Sequence, residues 1–324
     1  MQNNCLILFK RRILNRIRPF SLNKKGENKL PSDYLIILNP KANNGKAQKN
    51  WPKIKNILES NKTNYKLRIT RKINHAKSIM HYYLNKWHKE NKFPKCIIII
   101  GGDGTINEVL SSVINDKKTP NIPIGILPFG KNNKFVKSNN DNKLDWKENL
   151  LNIINNDKFQ KISIGSFKEN IKQENGIFIN QIIIGLDTDP KNGNNKLHRL
   201  KHLITLIPML YNIDSFNTNV KVDSTKYSFK KAIFCSVENK MQNNDKGKSL
   251  KLSIIEKRNI FKLIYTILII LIGQNHKSKS IHNFYGNNIH LSIPSLEYGK
   301  VDGDNLGSRF YDIDYKTIKY PFII

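Results

Sequence analysis

The residues best suited to chemistry lie in the run Gly101-Gly102-Asp103-Gly104-Thr105-Ile106-Asn107, which follows Ile97-Ile98-Ile99-Ile100 directly. An uninterrupted apolar run of this length reads as a buried strand, and the glycines read as a turn into a helix. Glycines let a backbone approach phosphate closely and turn its N–H groups toward it. The N-terminus of the following helix adds a dipole that favours anions. Asp103 supplies a carboxylate that can hold Mg²⁺ at a nucleotide's phosphates, since such an ion takes one or two protein carboxylates. The Gly-Lys-Ser/Thr ending of a Walker loop is absent. A second group of carboxylates, Asp302-Gly303-Asp304, also fits a plain turn, because Asp-Gly is a turn dipeptide.

Other reactive residue types give less. His75, His81 and His88 surround one helix without carboxylates at a metal spacing and read as surface residues. Cys5, Cys96 and Cys235 are far apart and form no CxxC pair, so neither a zinc site nor a disulfide framework is expected. No Gly-x-Ser-x-Gly elbow points to a hydrolase.

The elements that must position these residues are legible along the chain. Residues 34–38 read as a strand stopped by Asn39-Pro40. A loop containing Gly45 follows, then a helix with Trp51, Ile54, Ile57 and Leu58 on one face. Residues 65–70 read as a second strand, 76–87 as a helix, 96–100 as a third strand, 105–114 as a helix and 122–127 as a fourth strand. Strand alternating with helix implies a parallel sheet covered on both faces. Beyond about residue 160, short apolar runs at 176–184, 220–222, 231–237, 250–255 and 289–293 alternate with polar turns and imply a mostly β region, with a helix expected at 196–211. The expected fold is thus α/β: a basic extension at 1–31, a Rossmann-like domain at 32–160, a β-sandwich domain at 161–309, and a segment at 310–324 returning to the first domain.

Fifty-five Lys and Arg stand against 25 Asp and Glu, a formal charge of +30. Such a field attracts anionic lipid, nucleotide phosphates or nucleic acid. The joint excess of Lys, Asn and Ile also fits solvated charge without a specific partner. No recognition helix or aromatic RNA-binding motif supports nucleic acid. The apolar stretch 263–272 is too short to span a bilayer, which takes about 20 residues. Reduced cysteines and the lack of a signal-peptide pattern lead to an expectation of a cytoplasmic protein, peripherally associated with a membrane.

The Gly-Gly-Asp-Gly-Thr run resembles the signature of the superfamily of diacylglycerol kinases, sphingosine kinases and NAD kinases, and Asn107-Glu108-Val109 looks like its lipid-kinase branch. The resemblance extends over roughly residues 34–310. Asn39-Pro40 and Gly45-Lys46 look like that family's nucleotide-contacting Asn-Pro loop, and Thr70 looks like its strand-end threonine. Leu127-Pro128-Phe129-Gly130 resembles its Leu-Pro-x-Gly-Thr-x-Asn-Asp segment, Phe178, Asn180 and Gly185 its β-domain entry, and Val301-Asp302-Gly303-Asp304 its Asp-Gly-Glu.

The resemblance implies an ATP- and Mg²⁺-dependent kinase acting on a membrane lipid hydroxyl, diacylglycerol or a related alcohol. By the same resemblance, ATP is expected against Asn39, Pro40, Gly45, Thr70, Gly101, Gly102, Asp103, Gly104, Thr105, Ile106, Asn107, Gly130 and Lys131. Asp103 is the expected metal carboxylate. Asp304, assisted by Asp302, is the expected base, and Asp304 stands where the family has Glu. Lys131 replaces the family's Thr, and Asn133-Lys134 replaces its Asn-Asp. Only Asp245 and Gly247 resemble the family's structural metal stretch, so no such site is assigned. The lysines either remove metal binding, leaving a weakened nucleotide- or membrane-binding relative, or contact phosphate. NAD kinase is the related alternative activity.

Overall fold

The computed structural model describes residues 33–139, 145–155, 158–186, 214–240, 247–259, 261–266 and 278–323. The expected basic extension, the helix at 196–211 and most of the stretch 263–272 lie outside the described residues.

Tyr34–Leu38 (β1) and Cys96–Gly101 (β3) are buried at every position, which requires cover on both faces of their sheet. Tyr65–Ile69 (β2) and β3 flank β1 in parallel, and Ile124–Pro128 (β4) adds in parallel to β3. Leu35, Ile37, Ile97 and Ile99 point to one face, where His75–Glu90 (α2) and Asp103–Asn115 (α3) pack. Ile36, Leu38, Ile98 and Ile100 point to the other, toward Ala42–Ser60 (α1) and Trp146–Asn155 (α5). Lys134–Asn139 (α4) follows β4. The order β2-β1-β3-β4 reverses direction between β1 and β3, so the crevice for a ligand lies at the carboxyl ends of those two strands.

The second region consists of Gln160–Glu169 (β5), Glu174–Phe178 (β6), Gln181–Gly185 (β7), Phe216–Val222 (β8), Thr225–Asn239 (β9), Leu250–Glu256 (β10), a short helix at residues 261–266 (α6), Ile281–Gly286 (β11), Ile289–Val301 (β12) and Asp304–Ile323 (β13). Among the described residues all thirteen strands hydrogen-bond into one continuous sheet, so the β region expected as a sandwich is joined to the parallel sheet by strand pairing. The cause is strand length, since β9, β12 and β13 change partners along their course. β12 pairs with β8 at its start and β7 at its end, while β9 pairs with both, so the sheet closes around a core including Ile182, Val220, Cys235, Leu291 and Tyr311. β13 pairs with β12, then β5, and its last residues, Phe322 and Ile323, pair in parallel with Ile124 and Gly125 of β4.

Candidate active site

Three loops leave the parallel sheet on its carboxyl edge. The first follows β1. Asn39 donates its backbone N–H to Ile100 O (2.9 Å) and its Nδ2 to Thr105 Oγ1 (3.1 Å), while its Oδ1 accepts the Lys41 N–H (3.1 Å). Its amide therefore ties this loop to the start of α3. Asn43, Asn44 and Gly45 follow with φ of 48°, 55° and 84°. Asn and Gly are the residues that tolerate this left-handed region, so regular helix begins only after Gly45.

The second loop joins β3 to α3. Gly101 is buried, whereas Gly104 is exposed with no atom within 4 Å of where a Cβ would stand. The Thr105 side chain is buried against Asn39. Ile106 differs from its expected role, because its side chain lies in the core and its N–H donates to Gly102 O (3.1 Å), so nothing of it is left for a ligand. Apolar side chains at this point of the helix must face the sheet, and that outweighs motif position. Thr70 is likewise buried at the end of β2, its N–H bonded to Leu38 O (2.9 Å). Pro40 is half-buried beside Asn39.

The third loop follows β4 and touches the second through glycine on glycine. A Cβ on Gly102 would come within 2.8 Å of Gly130 Cα, and one on Gly130 would meet Gly102 Cα and Asn133 Oδ1. Asn133 (φ 47°) donates Nδ2 to Pro128 O (3.0 Å). Lys131 and Lys134 are exposed. The Lys134 backbone N–H donates to Asp103 Oδ2 (2.9 Å), so Asp103 caps the start of α4 from across the loop. Asp103 Oδ1 and Asn133 Oδ1 are buried without a hydrogen-bond partner among the described residues. Burial pushes the Asp103 carboxyl above its ordinary range, opposed by the Lys134 and Phe135 N–H groups, the Lys134 ammonium and the Asn180 side chain.

An orphaned carboxylate oxygen at a glycine turn suits a hard cation that takes its remaining oxygens from phosphate and water. Among the described residues no three His, Cys, Asp or Glu converge on a protein-only metal site. The residues present therefore fit a Mg²⁺ shared between Asp103 and a nucleotide.

Asp302 and Asp304 flank Gly303 at the β12–β13 hairpin. Val301 pairs with Asp304, and the two residues between them have φ of 49° and 97°, the positive pair of a type I′ turn. The Asp302 carboxylate accepts the N–H groups of Ile179 (2.7 Å), Asn180 (2.8 Å) and Gln181 (2.9 Å), and Nδ2 of Asn107 (3.2 Å). It joins the β6–β7 turn to α3. Burial pushes its pKa up to about 6, the backbone N–H groups oppose the shift, and the charge of nearby Asp103 adds to it. Asp304 is exposed and makes no side-chain hydrogen bond among the described residues.

Two contributors, the 179–181 turn and Glu108, enter the sequence reading only through family motifs, with no role attached. The 179–181 turn acts through backbone N–H groups, which no residue type announces. Glu108 accepts the N–H of Asn74 (3.0 Å) and of Ala76 (2.9 Å), capping α2 from α3. Its place directly after Asn107 was the signal available. The histidines behave as structural groups where bonded: His75 Nδ1 accepts the Arg71 N–H (2.9 Å), and His88 sits 2.7 Å from Asp116.

Comparison with known proteins gives a consistent picture. Residues 33–167 match the family model described as diacylglycerol kinase catalytic domain. A provisionally named lipid kinase of Staphylococcus aureus (strain bovine RF122) is 32% identical over 143 residues, 41% of this chain and 42% of that protein. Ceramide kinase of Oryza sativa subsp. japonica is 28% identical over 120 residues, 36% of this chain and 19% of that one. The matches thus span less than half of these relatives' length. A diacylglycerol kinase crystal structure from Bacillus anthracis str. Sterne superimposes with a TM-score of 0.60 at 18% identity, covering 90% of this chain and 96% of the other, a likeness of fold.

Proposed function

We propose that this chain, whose residues 33–167 match the diacylglycerol kinase catalytic domain, transfers the γ-phosphate of ATP to a lipid hydroxyl, with diacylglycerol or a related lipid alcohol as acceptor. The observation that carries the reading is Asp103: a carboxylate with one buried oxygen that has no partner among the described residues, on a glycine turn at the switch point of a parallel sheet. Ligands of such sheets bind there, and phosphoryl transfer depends on positioning and charge stabilisation more than on covalent chemistry.

In this reading the phosphates lie along the backbone of Gly101–Gly104, with Asn39 and Gly45 on one side and Gly130 and Lys131 on the other. Mg²⁺ at Asp103 neutralises charge on the phosphates when bound. Asn39 and Thr105 hold two loops in register through their mutual hydrogen bond. Asp304 takes the proton from the acceptor hydroxyl as its oxygen bonds to the γ-phosphorus and ADP departs. Asp302, with four N–H donors on it, positions the hairpin that carries Asp304. A surplus of cations favours residence at an anionic membrane.

The test is labelled ATP with Mg²⁺ and a mixed lipid extract. Asp103→Ala abolishes labelled lipid phosphate while circular dichroism stays native. Turnover that survives the substitution rejects the assignment. Lys134, beside Asp103 where relatives of the motif carry Asp, favours a second reading, a nucleotide-binding relative with little transfer. It is distinguished by ATP binding in calorimetry without any phosphorylated lipid.

A further inference from the structure

The sheet face that α3 covers is apolar beneath the helix and polar beyond its end. Val109, Leu110 and Val113 of α3 share one apolar cluster with Ile162 and Ile164 of β5 and Ile177 of β6, and Ile318 of β13 packs against it. The helix stops at Asn115. Residues two apart on a strand share a face, and strand pairing carries one polar row across five strands there. Lys221 of β8 pairs with His290 of β12, His290 with Asp314 of β13, Asp314 with Lys168 of β5, and Lys168 with Asn175 of β6. Lys316 and Ser166 pair in the next row of the same face. Between these rows and the last turn of α3, at Ile114 and Asn115, lies a cleft of about 550 Å³, a size typical of small-molecule sites. A straight α3 puts Asn115 roughly 18 Å from Asp103, so the cleft is separate from the glycine turn.

The hydrogen-bond inventory of the lining selects the ligand. The acids of the cleft are occupied. Asp314 lies 2.9 Å from His290 Nδ1, accepts the Asn170 amide (3.0 Å) and stands opposite Lys168. Asp223 accepts the N–H groups of Asn287 and Asn288 (3.0 Å each). The ammonium groups of Lys221 and Lys316, by contrast, have no hydrogen-bond or ion-pair partner among the described residues, so the cleft keeps a positive surplus. The two lysines stand two strands apart, about 10 Å across the sheet, a gap that their side chains can close on one anion. Approach from two strands suits a phosphate, whose three terminal oxygens point to different sides, over the planar oxygen pair of a carboxylate. Half-buried Ile114 and Ile318 form an apolar wall beside them. The negative end of the α3 dipole disfavours an anion at that wall, which leaves it to an uncharged part of the ligand. We infer that this cleft binds a small organic phosphate, with its phosphate on Lys221 and Lys316 and its apolar body on Ile114 and Ile318.

The experiment titrates the isotope-labelled full chain with phenyl phosphate, inorganic phosphate and benzylamine at constant ionic strength, and follows backbone amide shifts by nuclear magnetic resonance. Phenyl phosphate is expected to give saturable shifts clustered on the amides of Lys168, Lys221, His290 and Lys316. Inorganic phosphate should move the same amides with weaker affinity, and benzylamine should move none of them. The double variant Lys221→Gln, Lys316→Gln alters two exposed side chains, so its spectrum away from the cleft should stay native while its affinity for phenyl phosphate at the cleft amides falls at least tenfold. Any shifts at Gly101–Asn107 belong to the nucleotide seat and should persist in that variant. No saturable shift at the cleft amides overturns the inference, as does equal affinity in the double variant or binding of benzylamine as tight as that of phenyl phosphate. Equal affinity for phenyl phosphate and inorganic phosphate overturns the role of the apolar wall. None of these outcomes depends on whether the chain transfers phosphate to a lipid.

Discussion

A carboxylate that accepts four N–H groups has little left to offer a substrate proton, and this separates Asp302 from Asp304 within one turn. Asp302 carries a carboxyl pushed up to about 6, because burial and the neighbouring Asp103 charge outweigh its donors. Its ionised form holds Asn107 and the 179–181 turn, so transfer is expected to fall as pH drops through about 6. Stability moves the other way. A native-state pKa above the unfolded value near 3.8 means the native state holds the proton more tightly. That contribution is fully present below pH 4 and lost as pH rises through 6, by roughly 2–3 kcal/mol at about 1.36 kcal/mol per unit. Asp302→Asn removes this titration. Urea unfolding at pH 4.5 and pH 7.5 should therefore differ less in the variant than in the native chain, and an unchanged difference would place the titration elsewhere.

Helix ends and loop contacts carry the next set of consequences. Glu108→Ala leaves the Asn74 and Ala76 N–H groups without their acceptor at the start of α2. Loss of such a cap costs about 1–2 kcal/mol, read as a lower urea midpoint, while ATP affinity is expected to hold. Gly102→Ala drives a methyl group against Gly130 Cα and separates the two loops. Gly104→Ala adds the same methyl into open space. Both variants should fold. In calorimetry Gly102→Ala is expected to weaken ATP binding at least tenfold through loop geometry. Gly104→Ala should weaken it only if phosphate lies over that backbone, so unchanged affinity there argues against the proposed seat.

At the scale of the molecule, β13 sets the behaviour. It runs from Asp304 at the candidate site through the closed β region and ends beside β4, where Phe322 is fully buried against Phe135 (5.2 Å between rings) and Tyr320 donates its hydroxyl to Ile122 O (2.8 Å). A strand shared by both regions couples their unfolding. Phe322→Ala is expected to cost about 3–5 kcal/mol and to lower one common transition. Tryptophan fluorescence from Trp87 and Trp146 should then coincide with far-ultraviolet circular dichroism from the β region. Two separated transitions would show that the shared strand does not couple them.

The sequence alone determined the parallel-sheet half and its glycine turn. Leu35 to Leu38 and Ile97 to Ile100 admit one reading, a strand buried on both faces, and the glycines after Ile100 end it within a residue. These are local signals, set by side-chain periodicity and backbone freedom. The tertiary structure alone decided the closed β region, where β9, β12 and β13 exchange partners, because hydrogen-bond partners across a sheet leave no mark on the residues that share them. It also decided the work of Asp302, whose Asn107 partner lies 195 positions away. Three of its four bonds come from backbone N–H groups, which every residue except proline carries alike, so only folding could bring them to one carboxylate.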